Sequence, residues 1–220
     1  MSLKKAAVDI RYLLDNGYPP KSAVGFVCDH YRLDGESRHI LSRMVIAGSI
    51  SEKRRQKFLP CDKIRGEDII IDGYNIIIGM ESILEKKAIL CDDGVVRDIK
   101  GVSRNFRTCE ITHKAIELIL SFLKEKSPSH VFFILDSQIS RSGELAKVLA
   151  EKIVRSGLKG NANTSRHVDH DLKCSYYIVA SSDGVIIDAA EKVVNFLSCM
   201  ICEIPYLEAE IAEARRRRIE

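Results

Sequence analysis

The chain has 220 residues, of which 45% are hydrophobic and 30% charged, with a formal net charge of +3. That length holds one large domain or two small ones, and the composition is that of an ordinary soluble globular protein. The longest apolar runs, such as Val131 to Leu135 and Tyr176 to Ala180, fall far short of the roughly 20 residues a membrane span needs, and the charged N-terminus lacks the apolar stretch of a secretory signal.

Residues 1–65 read as a basic, all-helical domain. Ala7, Ile10, Leu13 and Leu14 lie at helical spacing, and Asn16-Gly17 stops that helix before Pro19-Pro20. A second helix runs from Ser22 through Ala23, Val24, Phe26, Val27 and Tyr31. After the turn Asp34-Gly35, a third places Ile40, Leu41, Met44 and Val45 on one face. Two helices joined by a short Gly-containing turn resemble a helix-turn-helix unit. This segment carries 13 Lys/Arg against 7 Asp/Glu, whereas the rest carries 21 against 24. A basic segment joined to an acidic one suits a nucleic-acid binder attached to an acid-lined site, and the run Lys53, Arg54, Arg55 would then contact RNA. A solvated helix surface accounts for the same charges.

Residues 66–220 alternate strands and helices, the pattern of an α/β domain with a mostly parallel sheet flanked by helices. Ile69 to Ile71 is a short β-branched run typical of a strand buried on both faces. The stretch from Met80 to Arg107 resists assignment, apart from a hairpin turn at Asp92-Asp93-Gly94. A helix is expected over Thr112 to Lys124, a buried strand over Val131 to Leu135, and a helix over Glu144 to Val154 capped by Ser142. Strands are expected near Thr164 to Val168 and over Tyr177 to Ala180, then a helix from Val185 to Leu197. A last strand over Met200 to Glu203 and a helix from Pro205 to Arg218 complete the chain. The Arg215 to Arg218 run reads as a solvated end or a phosphate contact, and the apolar face of that last helix is a surface on which a second chain could pair.

Seven cysteines without regular spacing argue against a disulfide framework and for a reducing cytoplasm. Cys199-Met-Ile-Cys202 is a lone pair inside an apolar stretch, whereas zinc wants about four ligands, so zinc is not expected. No nucleotide cofactor is expected either: G-x-x-x-x-G-K-[ST] is absent, as is the G-x-S-x-G elbow.

The acids carry the functional reading. Each apolar strand ends in one: Ile71 leads to Asp72, Leu135 to Asp136, and Ala180 through Ser181-Ser182 to Asp183. In an open parallel sheet the strand C-termini share one edge, and ligands bind in the crevice outside it. Asp169 or Asp171 would supply a fourth acid. Close carboxylates raise one another's pKa, and a hard cation relieves that conflict. Mg²⁺ or Mn²⁺ held by Asp72, Asp136 and Asp183 would support an in-line attack on a phosphodiester. Ser137, Ser181, Ser182 and Asn75 would orient acids, water or substrate, and Arg141 and Lys173 would reach phosphates. His167 and His170 flank Asp169 as further ligands or acid–base groups. The competing reading is that Asp and Ser end strands simply as turn and cap residues.

Ile71-Asp72-Gly73-Tyr74-Asn75-Ile76-Ile77 is similar to the opening motif of NYN domains, a branch of the PIN-like nucleases, and looks closest to the bacterial ribosome-associated endoribonucleases. The resemblance spans residues 67–205. It implies that Asp72 binds metal and that Asn75 orders the site, with later acids at Asp136, at Asp169 or Asp171, and at Asp183. Arg11 to Pro19 and Asp29 to Leu33 also resemble the N-terminal domain of an archaeal family of unknown function. Two departures stand out: the segment before the last strand is short, Leu172 to Ser175, and Asp183 is followed by Gly184-Val185-Ile186-Ile187 before Asp188. The expected function is a metal-dependent endoribonuclease acting on ribosomal or transfer RNA. The alternatives are a catalytically silent RNA-binding or ribosome-associated module and a small-molecule phosphatase.

Overall fold

The computed structural model describes residues 2–99 and 106–207. Four helices open the chain: α1 (Ser2–Asp15), α2 (Pro20–His30), α3 (Gly35–Met44) and α4 (Gly48–Lys57). Asp34 caps α3 by accepting from the Ser37 amide at 2.7 Å, which satisfies one of the helix's orphan donors. Ala6, Ile10, Val24, Val27, Cys28 and Leu41 form a small core of their own. The segment is not purely helical, however. Phe58–Leu59 (β1) pairs in parallel with Val193–Val194 (β8) at the edge of the main sheet. Two residues of strand are too short to show a period.

The remaining elements are β2 (Asp68–Asp72), α5 (Gly73–Leu84), β3 (Ile89–Leu90), β4 (Val96–Arg97), α6 (Glu110–Lys126), β5 (His130–Asp136), α7 (Ser142–Arg155), β6 (Gly160–Ser165), α8 (Val168–Lys173), β7 (Ile178–Ala180), α9 (Gly184–Ala189) and, after β8, α10 (Phe196–Glu203). Six strands form one sheet in the order β1-β8-β7-β2-β5-β6, and its pairs are all parallel. The fold is therefore α/β, with a parallel sheet flanked by helices and a helical N-terminal region. The hairpin β3-β4 stands apart, antiparallel, around Asp92-Asp93-Gly94, at the expected turn.

Alternation along the strands sorts the two faces. Ile69, Ile71, Val131, Phe133 and Leu135 join the main core with residues of α5, α6, α7 and α10. Ile70, Ile134 and Val179 point the other way, against Leu172, Ile186 and Ile187 from the short helices α8 and α9. These short helices leave part of that face open. There the rings of His130, Phe132 and Tyr177 stack in a row, with centroids 6.1 and 5.3 Å apart.

Several expected elements differ. The helix foreseen over Val185 to Leu197 is α9, then β8, then the start of α10; no Gly or Pro marks the breaks, and β8 is a strand because it pairs with Val179 and Ala180. Met200 to Glu203 is helical rather than extended. A short apolar run reads either way, and here Leu197 of the same helix packs so closely on Gly79 of α5 that a Cβ there would meet Leu197 Cδ1. The strand expected near Thr164 to Val168 begins earlier, at Gly160, and ends at Ser165, because its polar Asn-rich sequence belongs to an exposed sheet edge. Arg141, with φ 63°, precedes α7, and Ser142 is that helix's first residue rather than its cap. Cys61 and Cys199 form a disulfide, whereas the irregular spacing of the cysteines argues against disulfides. Beyond residue 207 the helix foreseen from Pro205 to Arg218, its pairing face and its Arg215 to Arg218 run lie outside the described residues. No described helix is long and apolar enough to cross a membrane.

Candidate active site

The sheet order reverses at β2: β5 and β6 follow on one side, β7 and β8 on the other. The crevice beyond the C-terminal ends of β2 and β7 is thus the topological switch point, where open α/β sheets bind ligands. Asp72 ends β2 there, and Gly73 turns the chain directly into α5. A Cβ on Gly73 would lie 2.6 Å from Leu135 Cδ2 and 3.0 Å from the Ile134 carbonyl oxygen, so only glycine lets the helix start this close to β5.

The side chains at this edge hold one another. Ser181 Oγ donates to Asp72 Oδ2 at 2.9 Å and accepts from the Asp183 amide at 3.1 Å. Asn75 Oδ1 accepts from both the amide and the hydroxyl of Ser182, at 2.7 and 2.8 Å. Asp183 caps α9 by accepting from the Val185 amide at 2.7 Å. Burial pushes the Asp72 carboxyl up to about 7; the bond from Ser181 opposes this, while the charges of Asp183 and Asp169 add to it. Asp183 and Asp169 therefore both bear on Asp72 at the switch point. Asp171 is engaged elsewhere, accepting from Ser165 Oγ at 2.5 Å, which separates the two candidates for the intermediate acid.

Asp136 faces a different neighbour. It accepts from the Gln138 amide at 2.8 Å, and its charge, after burial, helps push the Tyr74 phenol up to about 12. Among the described residues no group of three or more His, Cys, Asp or Glu side chains is placed to hold a metal ion. The three strand-end acids thus do not stand as a ready cage. A hard dication needs only one or two carboxylates beside its own waters; Asp72 and Asp183, linked through Ser181, are the pair that would hold it.

The other expected substrate contacts are scattered. Ser137 is exposed, its amide donating to the Ser165 carbonyl at 2.8 Å. Arg141 is exposed and pairs with Glu144 at 2.7 Å. Lys173 lies 3.9 Å from Asp169. His167, just before α8, and His170 on it are exposed, and His170 Nδ1 lies 3.8 Å from Cys174 Sγ. Lys53 and Arg55 are exposed, but Arg55 donates to the Asp92 carbonyl at 2.5 Å. Arg54 is fully committed: it donates to both oxygens of Asp188, at 2.8 and 2.7 Å, and to Asp93 at 2.9 Å. Its guanidinium lies against Gly184, where a Cβ would come within 2.5 Å of it. Of that basic run, Arg54 is a clamp between α4, α9 and the β3-β4 turn rather than a free phosphate contact.

That turn holds residues which sequence reasoning missed. Asp93 is fully buried and takes a two-pronged bond from buried Arg97, at 2.8 and 2.7 Å. Burial alone would raise Asp93, but Arg97 and Arg54 hold it below the usual carboxylate range. Arg97 Nε also donates to the Ser182 carbonyl at 2.8 Å. Ser182 is thereby fixed by Asn75 on one side and Arg97 on the other. Asp92 takes both Arg11 donors, at 2.9 and 2.8 Å, tying α1 to the same turn. Only the adjacent acids at a turn hinted at this in the sequence.

Residues 61–199 match the family described as a domain of unknown function, DUF5616, and residues 2–57 match a second, a protein of unknown function, DUF434. The chain belongs to the DUF5616 family, with a DUF434 segment preceding it. It is also 34% identical over 210 residues to the uncharacterized protein MJ0935 of Methanocaldococcus jannaschii, covering 94% of this chain and 99% of that one. No solved structure matches the chain.

Proposed function

We propose that this chain is a PIN-like, Mg²⁺- or Mn²⁺-dependent endoribonuclease whose centre is Asp72. The observation that carries the reading is a carboxylate at a topological switch point, raised to about 7 and crowded by two further acids. Carboxylates shifted in this way, by burial and neighbouring charge inside a cleft, cluster at functional sites. The Asp72-Gly73-Tyr74-Asn75 corner, which carries the resemblance to NYN domains, stands at the end of β2 and the start of α5. The stacked rings of His130, Phe132 and Tyr177, toward the starts of β5 and β7 rather than at the Asp72 end, form a platform of the kind on which bases of a single strand stack.

In this reading Asp72 and Asp183 hold the cation, which supplies charge neutralisation at the phosphodiester and a more acidic water. Ser181 keeps the Asp72 carboxylate oriented through its hydroxyl. Asn75 and Arg97 lock Ser182, so the loop carrying Asp183 stays in place. Asp169 brings further negative charge to the same crevice, and Lys173 lies near enough to offset it.

Purified protein is expected to cut RNA with Mn²⁺, and Asp72→Asn to abolish cutting while leaving the circular dichroism unchanged. Equal cutting by the variant would overturn the reading. One observation favours a second reading, a silent RNA-binding module: the strand-end acids form no ready three-ligand cage among the described residues. RNA binding without metal-dependent cutting would select it. Phosphate release from a small ester, with RNA intact, would select a phosphatase.

A further inference from the structure

Beside the strand-end edge lies a cavity of about 190 Å³ between the start of α5, the start of α6 and the β5-α7 loop. Its walls include Tyr74 and Phe106, whose rings meet edge to face at 5.2 Å, together with Leu145 and Val148. Arg107, His113, Ser140 and Glu144 supply polar groups around it. Tyr74 is 3% exposed, and its hydroxyl is buried without a hydrogen-bond partner among the described residues. A buried hydroxyl lacking a partner is a standing cost, so this wall is one hydrogen bond short.

We propose that this cavity is a nucleobase pocket, taking one unpaired base of an RNA strand that crosses the Asp72 edge. The substrate class rests on the ribonuclease reading above, but the pocket stands on its own walls. Its volume is below the roughly 300–1,000 Å³ usual for a whole small-molecule ligand, which suits a single ring. Aromatic and aliphatic walls with a few polar groups are how proteins hold splayed-out bases, by stacking and by bonds to the base edges. A phosphate is the wrong occupant: Arg141, which also borders the cavity, is already paired with Glu144 at 2.7 Å, and that carboxylate would repel an anion. The bordering segments fix the register. Tyr74 follows Asp72 by two positions on α5, and Ser140 lies four positions beyond Asp136, so a base held here places its own backbone at the edge where the acids stand. Arg107, exposed beside the cavity, is placed to meet that backbone.

The test is binding in EDTA, where no cutting occurs, using a fluorescein-labelled short single-stranded RNA and the same strand with abasic sugars. The wild-type chain is expected to bind the RNA about tenfold or more tightly than the abasic strand, the range for base–aromatic stacking. Val148 is 37% exposed, so Val148→Trp fills the cavity from its solvent side and is expected to erase that difference while leaving the melting temperature within a few degrees. Tyr74→Phe keeps the ring and is expected to lose only part of it. Equal binding of the two strands by the wild-type chain, or an unchanged preference in Val148→Trp, would overturn the pocket. The comparison needs no folded variant, because the abasic strand reads the pocket in the wild-type chain. Base preference without any Mn²⁺-dependent cutting would leave the pocket standing and remove the nuclease reading; cutting without base preference would do the reverse.

Discussion

Asp72 is raised because burial penalises its charge and Asp183 and Asp169 repel it. A carboxyl whose folded value lies above its free value favours the protonated form. Its contribution to stability is full below about pH 4 and is lost as pH climbs towards 7. Asp72→Asn, which carries no charge, is therefore expected to gain on the wild type across that window, by ~2–4 kcal/mol at pH 8. Urea unfolding at pH 4.5 and pH 8 measures it; an equal difference at both would contradict the raised value. The same proton competes with a cation. Mn²⁺ should raise the melting temperature more at pH 8 than at pH 6, and Asp72→Asn should show little shift at either. At the next position, Gly73→Ala drives a Cβ into Leu135 and the Ile134 carbonyl. It is expected to cost about 1–3 kcal/mol in the same assay, since the Leu135 methyl can give but the β5 backbone cannot.

The β3-β4 hairpin has strands of only two residues, yet its turn reaches several other elements. Its turn bonds α1 through Arg11, α4 through Arg54 and Arg55, and the β7-α9 loop through Arg97. Arg97→Met would leave Asp93 buried with Arg54 as its remaining charged partner. Breaking such a pair from one side costs about 3–5 kcal/mol, and the loss should be read by chemical denaturation. The double variant Arg97→Met, Asp93→Asn is expected to recover part of it, because the stranded charge is gone. Both should also loosen Ser182, so any Mn²⁺-dependent cutting should fall further than Asp188→Asn makes it fall. Asp188 only shares Arg54 with Asp93 and lies half exposed.

Across the whole molecule, Cys61 and Cys199 close a loop with a sequence separation of 138. In the chain-entropy account a loop of that length stabilises by at most about 5 kcal/mol. Reductant should lower the melting temperature, and Cys61→Ser should do the same while becoming insensitive to reductant; a wild-type chain unaffected by reductant would show that the bond does not carry stability. The bond also fastens the segment after β1 to α10, so the N-terminal segment is joined to the α/β part by a strand, a disulfide and the ion network of Arg54. The two family matches divide the chain between residues 57 and 61, and the strand pairing, the disulfide and the Arg54 ion pairs link the segments on either side of that division.

The sequence by itself determined the alternating β and α order, the buried strands Ile69 to Ile71 and Val131 to Leu135, the hairpin turn and the placing of Asp72, Asp136 and Asp183 at strand ends. These follow from local apolar runs and turn residues, which depend on neighbours a few positions away. It did not determine β1 and β8, which are strands only because they pair with each other and with β7, nor α10, whose apolar run needed Gly79 opposite it to be read as a helix. Nor did it determine which acids meet. Asp72 answers to Asp183 and Asp169, Asp136 bears on Tyr74, and Arg54 is spent on Asp93 and Asp188. Charges far apart in the chain find their partners only when the sheet order brings them within a few ångströms, and Coulomb energy is felt at that distance, not along the sequence.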